Sequence, residues 1–146
     1  MPAEARRGLV DTNILILRRR ITAEHLPDEL TISAVTLAEL SAGVHMVSGD
    51  DAAARAERAA RTALLQQVEH EFDPVPFGAQ AARVFGRMSA AVLASGRTPR
   101  RRATDLMIAA SAAVESLPLY TTNPGDFVGL DGLVTVVAVP YPTTPD

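Results

Sequence analysis

The sequence contains no cysteine and no lysine, and aromatic residues make up only 4% of its 146 residues. Without cysteine, the chain has no disulfide scaffold, no thiol nucleophile and no zinc or iron site built on thiolates. The low aromatic content argues against a sheet of base-stacking aromatic side chains. The phosphate-binding loop G-x-x-x-x-G-K-[ST] and the dinucleotide motif G-x-G-x-x-G are both missing from the sequence.

Long apolar runs are missing too, because no segment approaches the ~18–20 uninterrupted apolar residues of a membrane span. The first residues resemble a signal peptide, but Asp11 interrupts the apolar run and no small-residue cleavage site follows. Hydrophobic content of 47% and charged content of 21% are typical of a globular chain. The sequence therefore predicts a soluble cytoplasmic protein with one domain over residues 1–146, no membrane contact and a loose tail over 140–146.

Short β-like runs alternate with helical segments along the chain. Alternation and turn residues predict strands at Leu9–Val10, Leu30–Ser33, Leu119–Thr122 and Val134–Val139. Composition and capping residues predict helices at Ile14–Arg20, Ala34–Val47, Asp50–Glu71, Ala79–Ala94 and Ala103–Ser116. Thr12 or Asn13 is expected to cap the first helix, and Ala56, Ala60, Ala63, Leu64 and Val68 are expected to form the apolar face of the third. This order predicts an α/β fold with a mostly parallel sheet of four to five strands flanked by helices.

Four acidic residues stand without charged neighbours near a predicted strand end or helix start. Asp11, Glu39, Asp105 and Asp126 are each the sole formal charge in an otherwise uncharged stretch. Burying an isolated carboxylate costs several kcal/mol unless something compensates. Because ligands of parallel sheets bind beyond the carboxyl ends of the strands, these acids are expected to converge there.

Convergent carboxylates repel one another, which raises their pKa values unless a cation binds between them. An acidic site built from oxygen ligands suits Mg²⁺, or Mn²⁺ in its place. Each acid also has an alternative role: Asp11 as a helix cap, Glu39 in a capping box that begins at Thr36, and Asp105 at a positive helix N-terminus. Asp126 lies in a proline–glycine turn where aspartate is common.

All 14 basic residues are arginines, which a GC-rich coding bias also produces, and several are clustered. Arg100, Arg101 and Arg102 directly precede the helix that contains Asp105, where cations oppose the helix dipole. A phosphate-bearing substrate would make that placement useful, whereas the alternative is a solvated loop. His25, His45 and His70 have no metal-ligand spacing, so surface or packing roles are expected for them.

Four segments resemble the motifs of PIN-domain nucleases in their order and spacing. They are Leu9-Val10-Asp11-Thr12-Asn13-Ile14-Leu15, Thr36-Leu37-Ala38-Glu39-Leu40, Asp105-Leu106-Met107-Ile108-Ala109-Ala110 and Thr121-Thr122-Asn123-Pro124-Gly125-Asp126-Phe127. Order, spacing and length are similar to the VapC-type toxins of bacterial VapBC toxin–antitoxin pairs. The resemblance covers nearly the whole chain, and it implies a three-layer PIN-like fold.

The resemblance also implies a Mg²⁺-dependent endoribonuclease that cleaves RNA by metal-activated water. Asp11, Glu39, Asp105 and Asp126 would form the acidic pocket, with Asp11 and Asp105 as the metal ligands. Thr12, Asn13 and Asn123 would orient the carboxylates, and Glu39 could accept the proton of the attacking water. Such toxins are usually homodimers held inactive by a cognate VapB-type antitoxin.

Two other functions compete with this interpretation. A non-catalytic RNA-binding or regulatory module could keep the same fold, but it gains nothing from acids that repel phosphate. A phosphoryl-accepting receiver-like domain would need a lysine near a late strand, and the sequence has none.

Overall fold

Helices and strands alternate along the part of the chain that the structure, a computed structural model, describes, residues 5–143. The strands are β1 (Arg7–Val10), β2 (Glu29–Thr31), β3 (Leu119–Thr121) and β4 (Val136–Ala138). The helices are α1 (Thr12–Leu17), α2 (Ala34–His45), α3 (Ala52–Glu71), α4 (Ala79–Ala94) and α5 (Ala103–Val114). Short 3₁₀ turns cover Arg18–Arg20, Ala23–His25, Pro99–Arg102 and Pro124–Phe127. Within residues 5–143, no helix is long and apolar enough to cross a membrane.

The strands form one sheet in the order β2-β1-β3-β4, and every neighbouring pair is parallel. Leu9 of β1 lies between Thr31 of β2 and Leu119 of β3. The chain passes from β1 to β2 on one side and places β3 and β4 on the other, so the strand order reverses between β1 and β3. Open α/β sheets bind ligands at the carboxyl ends of the strands at such a reversal.

Helices cover both faces of the sheet because successive residues of a strand point to opposite faces. Leu9 and Leu119 pack on one face and Val10 and Tyr120 on the other. The first face is covered by α4 and α5, through Val84, Met88, Val92, Leu106 and Ile108. The second is covered by α1, α2 and α3, through Ile14, Leu17, Leu40 and Val68. The expected three-layer α/β architecture is confirmed.

The predicted apolar face of α3 is buried only in part. Ala56, Ala60 and Ala63 are exposed, whereas Ala54 and Val68 are buried and Leu64 is half-buried. Alanine contributes little burial energy because its side chain is one methyl group, so the larger residues decide which way a helix faces. Leu64, Leu65 and Val68 pack toward the core, and the row of alanines is left toward solvent.

The element bounds differ from the sequence predictions by a few residues. The first helix ends at Leu17 instead of Arg20, because Arg18–Arg20 tighten into a 3₁₀ turn. Residues 140–143 of the predicted loose tail carry no helix or strand, although the Arg20 guanidinium donates to the Pro142 carbonyl at 3.4 Å. Residues 1–4 and 144–146 of the predicted domain lie outside the described residues.

Candidate active site

Asp11 directly follows β1 and is buried, with 7% of its surface exposed. Its Oδ1 accepts a hydrogen bond from the Ile14 N–H at 3.2 Å, so Asp11 caps α1, and the expectation of a Thr12 or Asn13 cap is wrong. Its Oδ2 accepts a hydrogen bond from the Thr121 hydroxyl at 2.5 Å. The pKa of Asp11 is raised, mainly because the carboxyl group is buried. The hydrogen bonds from Thr121, Ile14 and Asn13 lower the pKa in part, and the charge of Asp126 adds to the rise. Capping α1 therefore uses only one oxygen of the Asp11 carboxyl group, and the other oxygen is bonded to Thr121.

Glu39 lies in the second turn of α2. This helix follows β2, the strand that pairs with β1, and Asp11 directly follows β1. The helix begins at Ala34, because the Ser33 hydroxyl caps it by accepting from the Val35 N–H at 3.0 Å. The alternative of a capping box starting at Thr36 is therefore wrong. Instead, Glu39 Oε1 accepts a hydrogen bond from the Thr12 hydroxyl at 2.5 Å.

Asp105 lies in the first turn of α5, where it is half-buried. Its pKa is raised to about 6, mainly by burial and then by the negative charges of Asp126, Glu39 and Asp11, against a lowering by Arg102. The Coulomb energy between two charges falls with their distance and is largely screened by salt beyond about one Debye length, ~10 Å. The Asp126, Glu39 and Asp11 charges therefore lie close enough to Asp105 to act on its carboxyl group, at the end of the sheet where Asp11 follows β1.

Asp126 lies in the 3₁₀ turn after β3 and forms an ion pair with an arginine of the basic segment. Its Oδ1 is 3.1 Å from Arg102 Nη1. The Gly125 carbonyl accepts from the same Arg102 atom at 3.4 Å and from Arg97 Nη1 at 3.1 Å. Two guanidinium groups therefore converge beside the acids, on a cavity of ≈ 450 Å³ that is lined by Arg97, Thr98, Arg101, Arg102, Asp105 and Asp126. Arg100 does not line this cavity, so the structure places only part of the predicted basic segment there.

The predicted orienting residues contact the acids in different ways. Thr12 uses its hydroxyl, whereas Asn13 reaches Asp11 through its backbone N–H. Asn123 donates its backbone N–H to Thr121 Oγ1 at 3.0 Å, one step removed from Asp11. Thr121, which donates to Asp11, is not among the site residues predicted from the sequence. Its position at the end of a buried strand is the available signal, because a buried hydroxyl group needs a hydrogen-bond partner.

The other arginine clusters are engaged with carboxylates away from these acids. Arg6 and Arg7 pair with Asp28 at 3.8 Å and Glu29 at 3.2 Å. Arg18 donates to both carboxylate oxygens of Glu71, each at 2.7 Å, and its guanidinium lies 5.7 Å from the centre of the Phe72 ring. Arg6, Arg7 and Arg18 therefore connect neighbouring parts of the chain. Arg97 and Arg102 contact the turn that contains Asp126, and Arg61 lines a separate cavity with Glu39. The three histidines are exposed, as expected.

The acids fit a divalent cation held by few protein ligands. Within residues 5–143, no three acidic or histidine side chains form a group that could hold a metal ion by themselves. Mg²⁺ is usually bound by one or two carboxylates and keeps several waters. Burial raises the pKa of Asp11 and of Asp105, and neighbouring carboxylates add to both shifts; a bound cation would stabilise the charged forms. The donor chemistry therefore matches Mg²⁺ or Mn²⁺ and does not match a closed cage of protein ligands.

The PIN domain family model matches residues 8–132, and this chain belongs to that family. It is 36% identical to Ribonuclease VapC5 of Mycobacterium tuberculosis (strain ATCC 25618 / H37Rv) over 132 residues, which cover 88% of this chain and 91% of that protein. Its fold is similar to the crystal structure of VapBC-5, a member of the VapBC family of toxin–antitoxin systems from M. tuberculosis, with a TM-score of 0.73 and 34% identity over 91% of this chain and 97% of that one. VapBC-1 from nontypeable Haemophilus influenzae has a TM-score of 0.61 and 27% identity, covering 88% of this chain and 96% of that one.

Proposed function

We propose that this PIN-domain protein is a divalent-metal-dependent endoribonuclease and the toxin of a toxin–antitoxin pair. The observation that carries the proposal is the meeting of Asp11, Glu39, Asp105 and Asp126 at one edge of the sheet, beside two arginines. Support comes from the similarity over most of the chain to a protein named a ribonuclease and to a structure of a toxin–antitoxin complex.

Each of these side chains has a chemical role in the proposal. Asp11 and Asp105 would hold Mg²⁺, or Mn²⁺ in its place, and the bound cation lowers the pKa of water and offsets phosphate charge. Glu39, held by the Thr12 hydroxyl, accepts the proton of the attacking water. Asp126 fixes the Arg102 guanidinium beside the acids.

The arginines serve the substrate in this scheme. Arg102, together with Arg97, contacts an RNA phosphate next to the scissile bond, because guanidinium groups match phosphate oxygens in geometry and charge. Arg101 lines the same cavity, and we assign the exposed Arg100, which does not, to a phosphate further along the strand.

The function is tested by incubating the purified protein with RNA in Mg²⁺ or Mn²⁺ and in EDTA. We expect metal-dependent cleavage that Asp105→Asn abolishes, whereas Asp131→Asn, a change at an exposed acid in the turn before β4, keeps it. Circular dichroism and the melting temperature show whether both variants are folded. Cleavage in EDTA, or an active Asp105→Asn variant, would contradict the proposal. Tight RNA binding in EDTA with no product in metal would favour the non-catalytic module.

A protein antitoxin is the partner that we propose, and we expect the toxin to be a homodimer. The M. tuberculosis and H. influenzae structures are of VapBC systems, which supports a VapB-type partner. An apolar groove between α1 and α3, lined by Leu15, Ala60, Ala63 and Leu64, offers a surface, and Ile16 beside it is 56% exposed. Co-expression with the product of a short upstream reading frame should yield a complex that no longer cleaves RNA. Sedimentation of the toxin alone tests the dimer.

A further inference from the structure

Thr36 is a fully buried residue with a hydroxyl group in the first turn of α2, three positions before Glu39. Residues three apart on a helix lie on the same face. Both side chains turn toward the N-terminus of α1, where Thr12 Oγ1 lies 3.1 Å from Thr36 Oγ1 and 2.5 Å from Glu39 Oε1. The Thr12 hydroxyl is therefore shared between a buried hydroxyl and the Glu39 carboxylate.

The direction of these two hydrogen bonds follows from the number of protons. Each threonine hydroxyl has one proton to donate and can accept two bonds, whereas an ionised carboxylate can only accept. The Thr12 proton is thus committed to Glu39. The geometry at Thr12 Oγ1 also allows it to donate to Thr36 Oγ1, at the longer distance of 3.1 Å. Because its single proton is on Glu39, we infer that the Thr36 hydroxyl supplies the proton for the contact between the two threonines. A chain of hydrogen bonds runs from Thr36 to Thr12 to Glu39.

We propose that Thr36 is a positioning residue that fixes the Glu39 carboxylate through Thr12. The inference rests on the proposed function, because it assigns the orientation of the proton acceptor in the same site. Glu39 is exposed and has a flexible side chain, so its carboxylate needs an anchor if it is to stay beside Asp105. The donated proton of Thr36 keeps the Thr12 hydroxyl turned toward Glu39, and it makes Thr12 Oγ1 a better donor, since hydrogen bonds in a chain polarise one another.

The test compares variants that remove the hydroxyl group with variants that keep it. Thr36→Val keeps the shape of the side chain and removes the hydroxyl, whereas Thr36→Ser keeps the hydroxyl and removes the methyl. We expect Thr36→Val to lower kcat about 10-fold with KM for RNA unchanged, and Thr36→Ser to restore most of the loss. Thr62→Val is the matched control, because its hydroxyl bonds only to the Arg58 carbonyl of its own helix and lies away from the acids.

Two further measurements separate positioning from a general effect on folding. In crystal structures of the metal-free variants, Glu39 should leave Thr12 Oγ1 in Thr36→Val and remain bonded to it in Thr36→Ser. The double variant Thr12→Val/Thr36→Val should be no slower than Thr12→Val, since both changes break one chain. If Thr36→Val is too unstable to assay, Thr36→Ala and Thr36→Ser are compared instead, because both lack the methyl and they differ only in the hydroxyl.

The proposal is overturned if Thr36→Val matches the wild type in kcat, or if Thr36→Ser is as slow as the variants without a hydroxyl. Additive losses in the double variant, or a Glu39 carboxylate that stays in place without Thr36, would overturn it as well. A wild-type protein that does not cleave RNA would refute the proposed function instead. In that case the position of Glu39 in the crystal structures still decides whether the relay exists.

Discussion

Asp105 is the residue on which the surrounding charges act most strongly. It lies in the first turn of α5, where the positive end of the helix favours a carboxylate. Even so its pKa is raised to about 6, because burial and the charges of Asp126, Glu39 and Asp11 outweigh that help and the Arg102 guanidinium. Strongly shifted pKa values are concentrated at functional sites, so the raised pKa of Asp105 supports its place in the candidate active site.

The pH dependence of stability should report this cost in the metal-free protein. The unfolded chain releases the Asp105 proton near pH 3.8 and the folded protein near pH 6, so between these values the folded state binds more protons. The contribution of Asp105 to the free energy of unfolding is therefore most favourable below pH 3.8, where its carboxyl group is protonated in both states. This contribution is lost as the pH rises through about 6, because the folded protein then has to hold a charged carboxylate. We expect Asp105→Asn, which mimics the protonated form, to gain on the order of 1–2 kcal/mol over the wild type between pH 4 and pH 7.

Urea unfolding in EDTA at several pH values measures this difference, and comparison with Asp105→Asn cancels the contribution of other carboxylates. Adding Mn²⁺ at pH 7 should then stabilise the wild type more than the variant. If the difference in the free energy of unfolding between the two proteins does not change with pH, the pKa of Asp105 is not raised by folding.

The four acids could be selected as candidates from the sequence because each stands alone in an uncharged stretch. Their partners could not, since hydrogen bonds between distant residues leave no local pattern. Thr121 and Asp11 are 110 positions apart in the chain, and Thr12 and Thr36 are 24 apart. Arg97 and Arg102 meet at the Gly125 carbonyl for the same reason, and only the folded chain shows which arginines of the basic segment reach the acids.

At the scale of elements, the close approach of β1 to β3 depends on Gly8. A Cβ atom at this position would lie 2.6 Å from Tyr120 Cδ1 and 3.2 Å from Pro27 Cγ. The Tyr120 ring therefore packs over the backbone of β1, on the strand that leads directly to Asp11. A larger residue at position 8 would have to move that ring and the end of β3.

We expect Gly8→Ala to lower the free energy of unfolding by about 1–3 kcal/mol, because overpacking forces neighbouring groups to shift. Gly86→Ala provides a matched control, since a Cβ at this position in α4 meets nothing within 4 Å. That change should instead stabilise the protein by roughly 0.5–1 kcal/mol, because alanine loses less conformational entropy in a helix. Urea denaturation of both variants measures the effects, and a neutral Gly8→Ala would contradict the packing described for Tyr120.

Element type was more predictable than element orientation. Alternation and capping residues place the strands and helices correctly to within a few residues, since these are local properties. The orientation of α3 depends on tertiary packing instead, so that Leu64 and Val68 of the predicted apolar face pack inward while its three alanines are exposed. The buried side is set by Leu64, Leu65 and Val68, whose larger side chains gain more from leaving water.

At the scale of the whole molecule, charge is distributed unevenly although the net charge is only −3. Arg6, Arg7 and Arg18 are paired with acids on neighbouring elements. Beside Asp105, Arg102 pairs with Asp126, and Arg97 and Arg102 both donate to the Gly125 carbonyl. The strand order reverses between β1 and β3 at the carboxyl edge of the sheet, which is where open α/β sheets bind ligands.

The most direct test of this account is a crystal of the protein soaked in Mn²⁺, with anomalous scattering used to locate the ion. We predict one strong peak between the carboxylates of Asp11 and Asp105, at a ligand distance of about 2.0–2.3 Å. Water should complete the coordination, and Arg102 should stay on Asp126. A peak elsewhere on the surface, or none at a concentration that supports cleavage, would contradict the claim that these acids form a metal site.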